Sequence, residues 1–117
     1  MGEMVINPGA IDALNDQITN LQTLVKVKAV QTSAVSISSG SFSDIKQTPS
    51  ELAETGYTPI GVVGWLISGT GRTAQRITRC YYDSVNNQLC AAIKNENTAN
   101  ITDLIVTFYV LYIRNFN

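Results

Sequence analysis

The stretch Leu104-Ile105-Val106-Thr107-Phe108-Tyr109-Val110-Leu111-Tyr112-Ile113 decides the fold. β-Branched and aromatic residues dominate it, and no glycine or proline interrupts it. About ten residues is strand length, and far short of the roughly 20 that cross a bilayer as a helix. One alternating set is Leu104, Val106, Phe108, Val110 and Tyr112; the other is Ile105, Thr107, Tyr109, Leu111 and Ile113. Both sets are apolar. A strand with one face in water shows one polar set, so this strand is expected to be covered on both sides. Its own sheet partner and core account for one side. A subunit packed around a threefold axis is an economical cover for the other, and Val106, Phe108, Val110 and Tyr112 are the residues expected to lie against it. A central strand under a second layer of the same chain is the alternative.

Upstream of this strand, Asn95 to Asn100 reads as a polar turn, and Gln88 to Lys94 and Arg76 to Tyr82 as paired strands. Asp83 to Asn87 supplies hairpin-turn residues between them. Tyr57 to Ser68 is the clearest strand in the middle of the chain. Pro59 sits near its start, where proline is tolerated, and Gly61 and Gly64 mark a bulge or a close backbone approach. Gln47 to Gly56 is loop, with one helical turn at Ser50 to Glu54. Phe42 and Ile45 open a further apolar piece, Ser38 to Ser41 is a turn, and Val35 with Ile37 forms a short strand. A first strand begins near Leu24 and runs to Gln31. Roughly seven short strands divided by turn signals predict a β-sandwich or jelly roll.

The N-terminal segment has another period. Asn7-Pro8 reads as a helix cap followed by proline at the first helical position. Ile11, Leu14, Ile18, Leu21 and Val25 then alternate spacings of three and four, the a/d seam of a coiled coil. About two heptads are marginal alone, so the seam needs either a larger assembly or its own domain. Residues 1–25 are expected to form a neck and residues 26–117 a β-sandwich head, with the head setting the number of copies.

Composition narrows the function. Apolar residues make up 44% of the 117 residues and charged residues only 15%, so partner subunits are the simplest cover for much of the surface. The net charge of −1 carries no footprint for nucleic acid, and no insertion into a membrane is expected. Met1 to Asn7 lacks a basic n-region and an apolar h-region, so assembly in the cytoplasm is expected. There is no histidine, which removes the commonest general base and metal ligand. Nine carboxylates are scattered over helix, loops and turns. A glycosidase would need two of them facing across a cleft; the sequence does not exclude such a pair, but among nine carboxylates on a small surface chance proximity would mean little. No enzyme, metal or cofactor is expected. Cys80 and Cys90 flank the hairpin and read as free thiols, since a cytoplasmic protein disfavours a disulfide. Tyr57, Trp65, Arg72, Tyr82 and Asp83 are the candidate ligand residues: aromatic platforms and polar groups near loops. For Trp65 the competing reading is core or interface.

The segment Thr55-Gly56-Tyr57-Thr58-Pro59-Ile60-Gly61-Val62-Val63-Gly64-Trp65 resembles a recurrent segment in small virion structural proteins of phages and prophages of gut Firmicutes. Those proteins continue with a strand–turn–strand unit and end in a strand like Thr107 to Ile113. The likeness spans roughly residues 27–114, and the upstream helix looks like the coiled-coil neck that precedes a fibre head. The resemblance implies a homotrimeric tail-fibre, baseplate or head-decoration protein that sits in the virion, contacts other virion proteins, and in the fibre case binds a host cell-surface glycan. A capsid-decoration or baseplate role without a host ligand, and a bacterial trimeric lectin-like module, remain the alternatives.

Overall fold

A computed structural model of the chain describes residues 9–15, 24–69 and 75–116. A helix at 9–15 precedes seven strands: β1 (Val25–Gln31), β2 (Val35–Ile37), β3 (Phe42–Gln47), β4 (Tyr57–Ser68), β5 (Gln75–Asp83), β6 (Gln88–Asn95) and β7 (Ile101–Arg114). One 3-10 turn, Ser50–Leu52, lies between β3 and β4.

The strands form two antiparallel sheets. β7 is the hub of the first and pairs with β1, β2 and β4. β6 is the centre of the second, between β3 and β5. The fold is therefore a mostly β, two-layer architecture, and the expected strand at Tyr57–Ser68 has the predicted limits. The chain leaves the 3-10 turn and enters β4, which ends before Gly69. This glycine has φ +123°, and a Cβ on it would meet the Asp103 carbonyl oxygen at 2.6 Å.

The two sheets enclose one core. From β7 it receives Leu104, Val106, Phe108, Val110 and Tyr112, each 0% exposed. Leu89, Ala91 and Ile93 of β6 join them, with Val30, Ile37, Ile45 and Leu52 from the flanking elements. The buried Tyr112 hydroxyl donates to the Leu52 carbonyl at 2.6 Å, so the one polar atom this ring brings inside is satisfied.

This burial corrects one expectation. Val106, Phe108, Val110 and Tyr112 do not face a subunit axis; they are the protomer's own core. In the sequence the two faces of the strand are equally apolar. The pairing register decides between them, and it turns the even-numbered set toward β6.

Loop closure over β1 is fixed by charge. Lys26 and Lys28 reach Glu54 at 2.7 and 3.0 Å, and Lys28 also donates to the Glu51 carbonyl at 2.5 Å. The two ammonium groups, that of Lys26 first, hold the Glu54 carboxyl below its ordinary pKa.

Candidate functional site: an uncovered apolar sheet face

The outer face of the first sheet is the largest anomaly of the molecule. Alternation places Ile105, Tyr109, Leu111 and Ile113 of β7 there. Val25, Val27 and Ala29 of β1 stand directly across from Ile113, Leu111 and Tyr109. On the other side, β4 has register shifts between Pro59 and Gly61 and between Val62 and Gly64. These bulges set Ile60 and Val63 beside Gly61 and Gly64, opposite Leu111 and Tyr109, and Leu66 pairs with Thr107 on the same side. Gly64 leaves low ground over which the Tyr109 ring lies; a Cβ on it would meet that ring at 3.5 Å.

Among the described residues, none covers this surface. Val27 is 54% exposed, and Val25, Ile60, Val63 and Leu66 are similarly open. Three strands over the length from Ile105 to Ile113 present about 30 Å by about 14 Å, on the order of 400 Å². That is the size of the largest apolar patch on many monomers, which is often a functional surface. The second sheet is different. Its outer face carries Asp44 and Lys46 on β3, Lys94 on β6, and Arg76 and Arg79 on β5, with ion pairs Arg76–Glu96 at 2.9 Å and Arg79–Asp44 at 4.0 Å. That face also carries exposed Phe42 and Tyr81, but its charged groups have no counterpart on the first sheet's outer face between Ile105 and Ile113.

One seam residue lies on this face. Val25, the last seam position, is the first residue of β1 and not part of the helix. It points to the uncovered side across from Ile113. Ile11 and Leu14 lie on the helix at 9–15, where every residue is exposed, at 44% and 57%. That part of the helix does not pack on its own head. Ile18 and Leu21 lie outside the described residues.

The candidate ligand residues do not form one site. Tyr57 is half-buried, with the Lys26 ammonium 4.5 Å from its ring centroid. Tyr82 packs against the core and donates its hydroxyl to Asn87 Oδ1 at 2.7 Å. Asp83 accepts from the backbone N–H groups of Val85 and Asn86 and from the Asn86 amide, and these bonds hold its carboxyl below the ordinary pKa. Its role is to shape the β5–β6 turn. Tyr57 and Asn87 share a cleft of about 350 Å³ beside the 3-10 turn, which brings Tyr57 and Tyr82 to one end of the molecule. Trp65 stands apart on β4, 50% exposed, opposite Phe108. It is therefore not a core residue. Arg72 lies outside the described residues.

Cys80 and Cys90 are free. Cys80 pairs with Ala91 and Cys90 with Tyr81, so a single residue of register puts the two thiols on opposite faces of the sheet. Burial pushes the Cys80 thiol up to about 11. Among the described residues, no group of three Cys, Asp or Glu could hold a metal ion.

The sequence reading missed three features. The odd-numbered face of β7 was masked by its apolar twin. Phe42, 59% exposed at the start of β3, reads in sequence as ordinary strand material. Asn95, 0% exposed, reads there only as the first residue of a polar turn. Comparison with protein-family models, with curated proteins and with solved structures finds no match to this chain.

Proposed function

We propose that this chain is a non-enzymatic virion module: three copies joined by the N-terminal helix and by the outer face of the β1–β7–β4 sheet, with the sandwich heads attaching the particle to its host. One observation carries the proposal: the uncovered apolar sheet face includes Val25, the last residue of the heptad seam, which supports one axis for both surfaces. Three sheets closing as the walls of a prism around that axis cover all of the apolar face. The charged face of the second sheet and the loops far from the helix then point outward, free to meet a surface. The resemblance of residues 55–65 to phage structural proteins supplies the setting. Attachment through three weak sites gains strength by avidity, without new contacts in any one head.

One observation favours the alternative of a decoration or baseplate protein. The outward face of the second sheet is nearly flat; its cleft at Asp44, Lys46, Arg79 and Tyr81 holds only about 60 Å³. Val27→Asp separates the cases. A charge on an exposed strand of a monomer is harmless, whereas buried without a partner it costs about 3–5 kcal/mol. The variant is expected to lose its oligomer and, with it, adsorption of the labelled protein to bacterial cells. Loss of the oligomer from a protein that never adsorbs supports decoration. An unchanged oligomer contradicts the assembly surface.

A further inference from the structure

We infer that copies of the chain interlock on the outer face of the β1–β7–β4 sheet in one way: Val63 on β4 of one copy enters a dip at Ala29 on β1 of the next. The inference rests on the assembly reading and names the contact that fixes its direction and register.

β1 and β4 both run antiparallel to β7, so they run the same way on its two sides. The outer face is therefore ordered in rows across three strands. Val25, Ile113 and Thr58 share one row. Val27, Leu111 and Gly61 form the next, with Ile60 beside Gly61. Ala29, Tyr109 and Gly64 follow, with Val63 beside Gly64, and then Gln31, Thr107 and Leu66. Successive rows are two residues of rise apart, about 7 Å.

The row at Tyr109 differs from its neighbours in relief. Its β1 margin has only the methyl group of Ala29, exposed between the longer Val27 and Gln31. The Tyr109 ring leans the other way, over Gly64, where an added Cβ would meet its Cδ2 at 3.5 Å. At the β4 margin the bulge sets out Val63, which at 58% has the largest exposed fraction among the apolar side chains of this face. A dip and a knob thus stand in one row, at opposite margins. In the rows on either side both margins carry longer side chains, Val27 with Ile60 and Gln31 with Leu66.

Symmetry turns this relief into a contact. Copies in a closed ring are related by rotation alone, so every wall points the same way and no row is shifted along the axis. Around an axis that runs along the strands, the β4 margin of one wall meets the β1 margin of the next at the same row. Val63 then faces Ala29, a large group against a small one, which is how close-packed interiors avoid voids. Two copies packed face to face and end for end would set β1 against β1, and Val63 would not reach Ala29.

The test is disulfide cross-linking of an Ala29→Cys/Val63→Cys variant, beside each single variant and the wild type, on non-reducing gels after mild oxidation. Within one chain the two positions stand on either side of β7, about 10 Å apart, beyond the roughly 7 Å that a disulfide spans. Any bond between them therefore joins two copies. The expected result is covalent species of two and three copies from the double variant. Both single variants are expected to behave as the wild type, whose free Cys80 and Cys90 serve as the control. A second arm needs no thiol. Ala29→Leu should overpack the contact and raise the dissociation concentration of the oligomer about tenfold, with the fold unchanged by circular dichroism. Adding Val63→Ala should restore it. Dimers from a single variant, an oligomer that the double variant fails to cross-link, or an Ala29→Leu effect that Val63→Ala leaves in place would each overturn the inference. Light scattering on the wild type keeps the readings apart. A trimer without cross-links sinks only the contact, and a monomer sinks the assembly and the contact with it.

Discussion

Asn95 and Glu54 show how single polar residues are made to serve the sandwich. Asn95 lies among apolar residues and is tolerated because each of its side-chain bonds is made. Asn95→Ala strands the Ile37 and Ala99 carbonyls and should cost about 1–3 kcal/mol, read as a lower urea midpoint at unchanged slope. An unchanged midpoint would mean that the two turns hold themselves. Glu54 acts through charge. Its carboxyl is held below its ordinary value of 4.5 by Lys26 and Lys28, so it ionises more readily folded than unfolded. The resulting stability is present above the unfolded pKa and is lost as pH falls through the folded one. Thermal melting of the wild type should therefore fall on acidification below 4.5. Glu54→Gln should melt lower at neutral pH and show a shallower acid limb; parallel acid limbs would rule the cluster out as a pH-sensitive staple.

At the scale of the element, β7 carries the argument, and two adjacent residues separate its faces. Phe108 is wholly in the core, and Phe108→Ala should destabilise by about 3–5 kcal/mol at every protein concentration. Tyr109 points to the uncovered face. Tyr109→Ala should leave the sandwich folded and raise the concentration at which the oligomer dissociates. Analytical ultracentrifugation beside chemical denaturation reads both, and equal effects of the two variants on dissociation would contradict the two-faced strand. The same strand shows what a sequence can and cannot display. Tyr57–Ser68 and the turns around it were legible because proline, glycine and β-branched residues act locally. Which face of β7 enters the core was not legible, since parity is set by partners distant in sequence and both candidate sets are apolar. The hairpin was hidden for the same reason: its four-residue turn, Ser84 to Asn87, differs by one residue from the five-residue turn that would set Cys80 directly opposite Cys90. The buried role of Asn95 was less visible still. Asn95 to Asn100 reads as any polar turn, and only the fold puts the Asn95 amide under the Ile37 carbonyl.

For the whole molecule, the described residues have a radius of gyration of 21.1 Å, against about 13 Å for a compact chain of this length. The exposed helix residues and the uncovered apolar wall on the head are what the proposed assembly would cover. In that proposed assembly the charged, ion-paired second sheet would face outward. The account stands or falls on that division between a wall and a front. Its most direct test is the mass of the purified protein in solution by multi-angle light scattering, taken over a dilution series. The account predicts a single species at three times the 12.7 kDa chain mass, holding until dilution dissociates it. A monodisperse species at 12.7 kDa across the series would contradict it, because the face built by Val27, Tyr109, Leu111 and Ile113 would then stand in water with no copy against it.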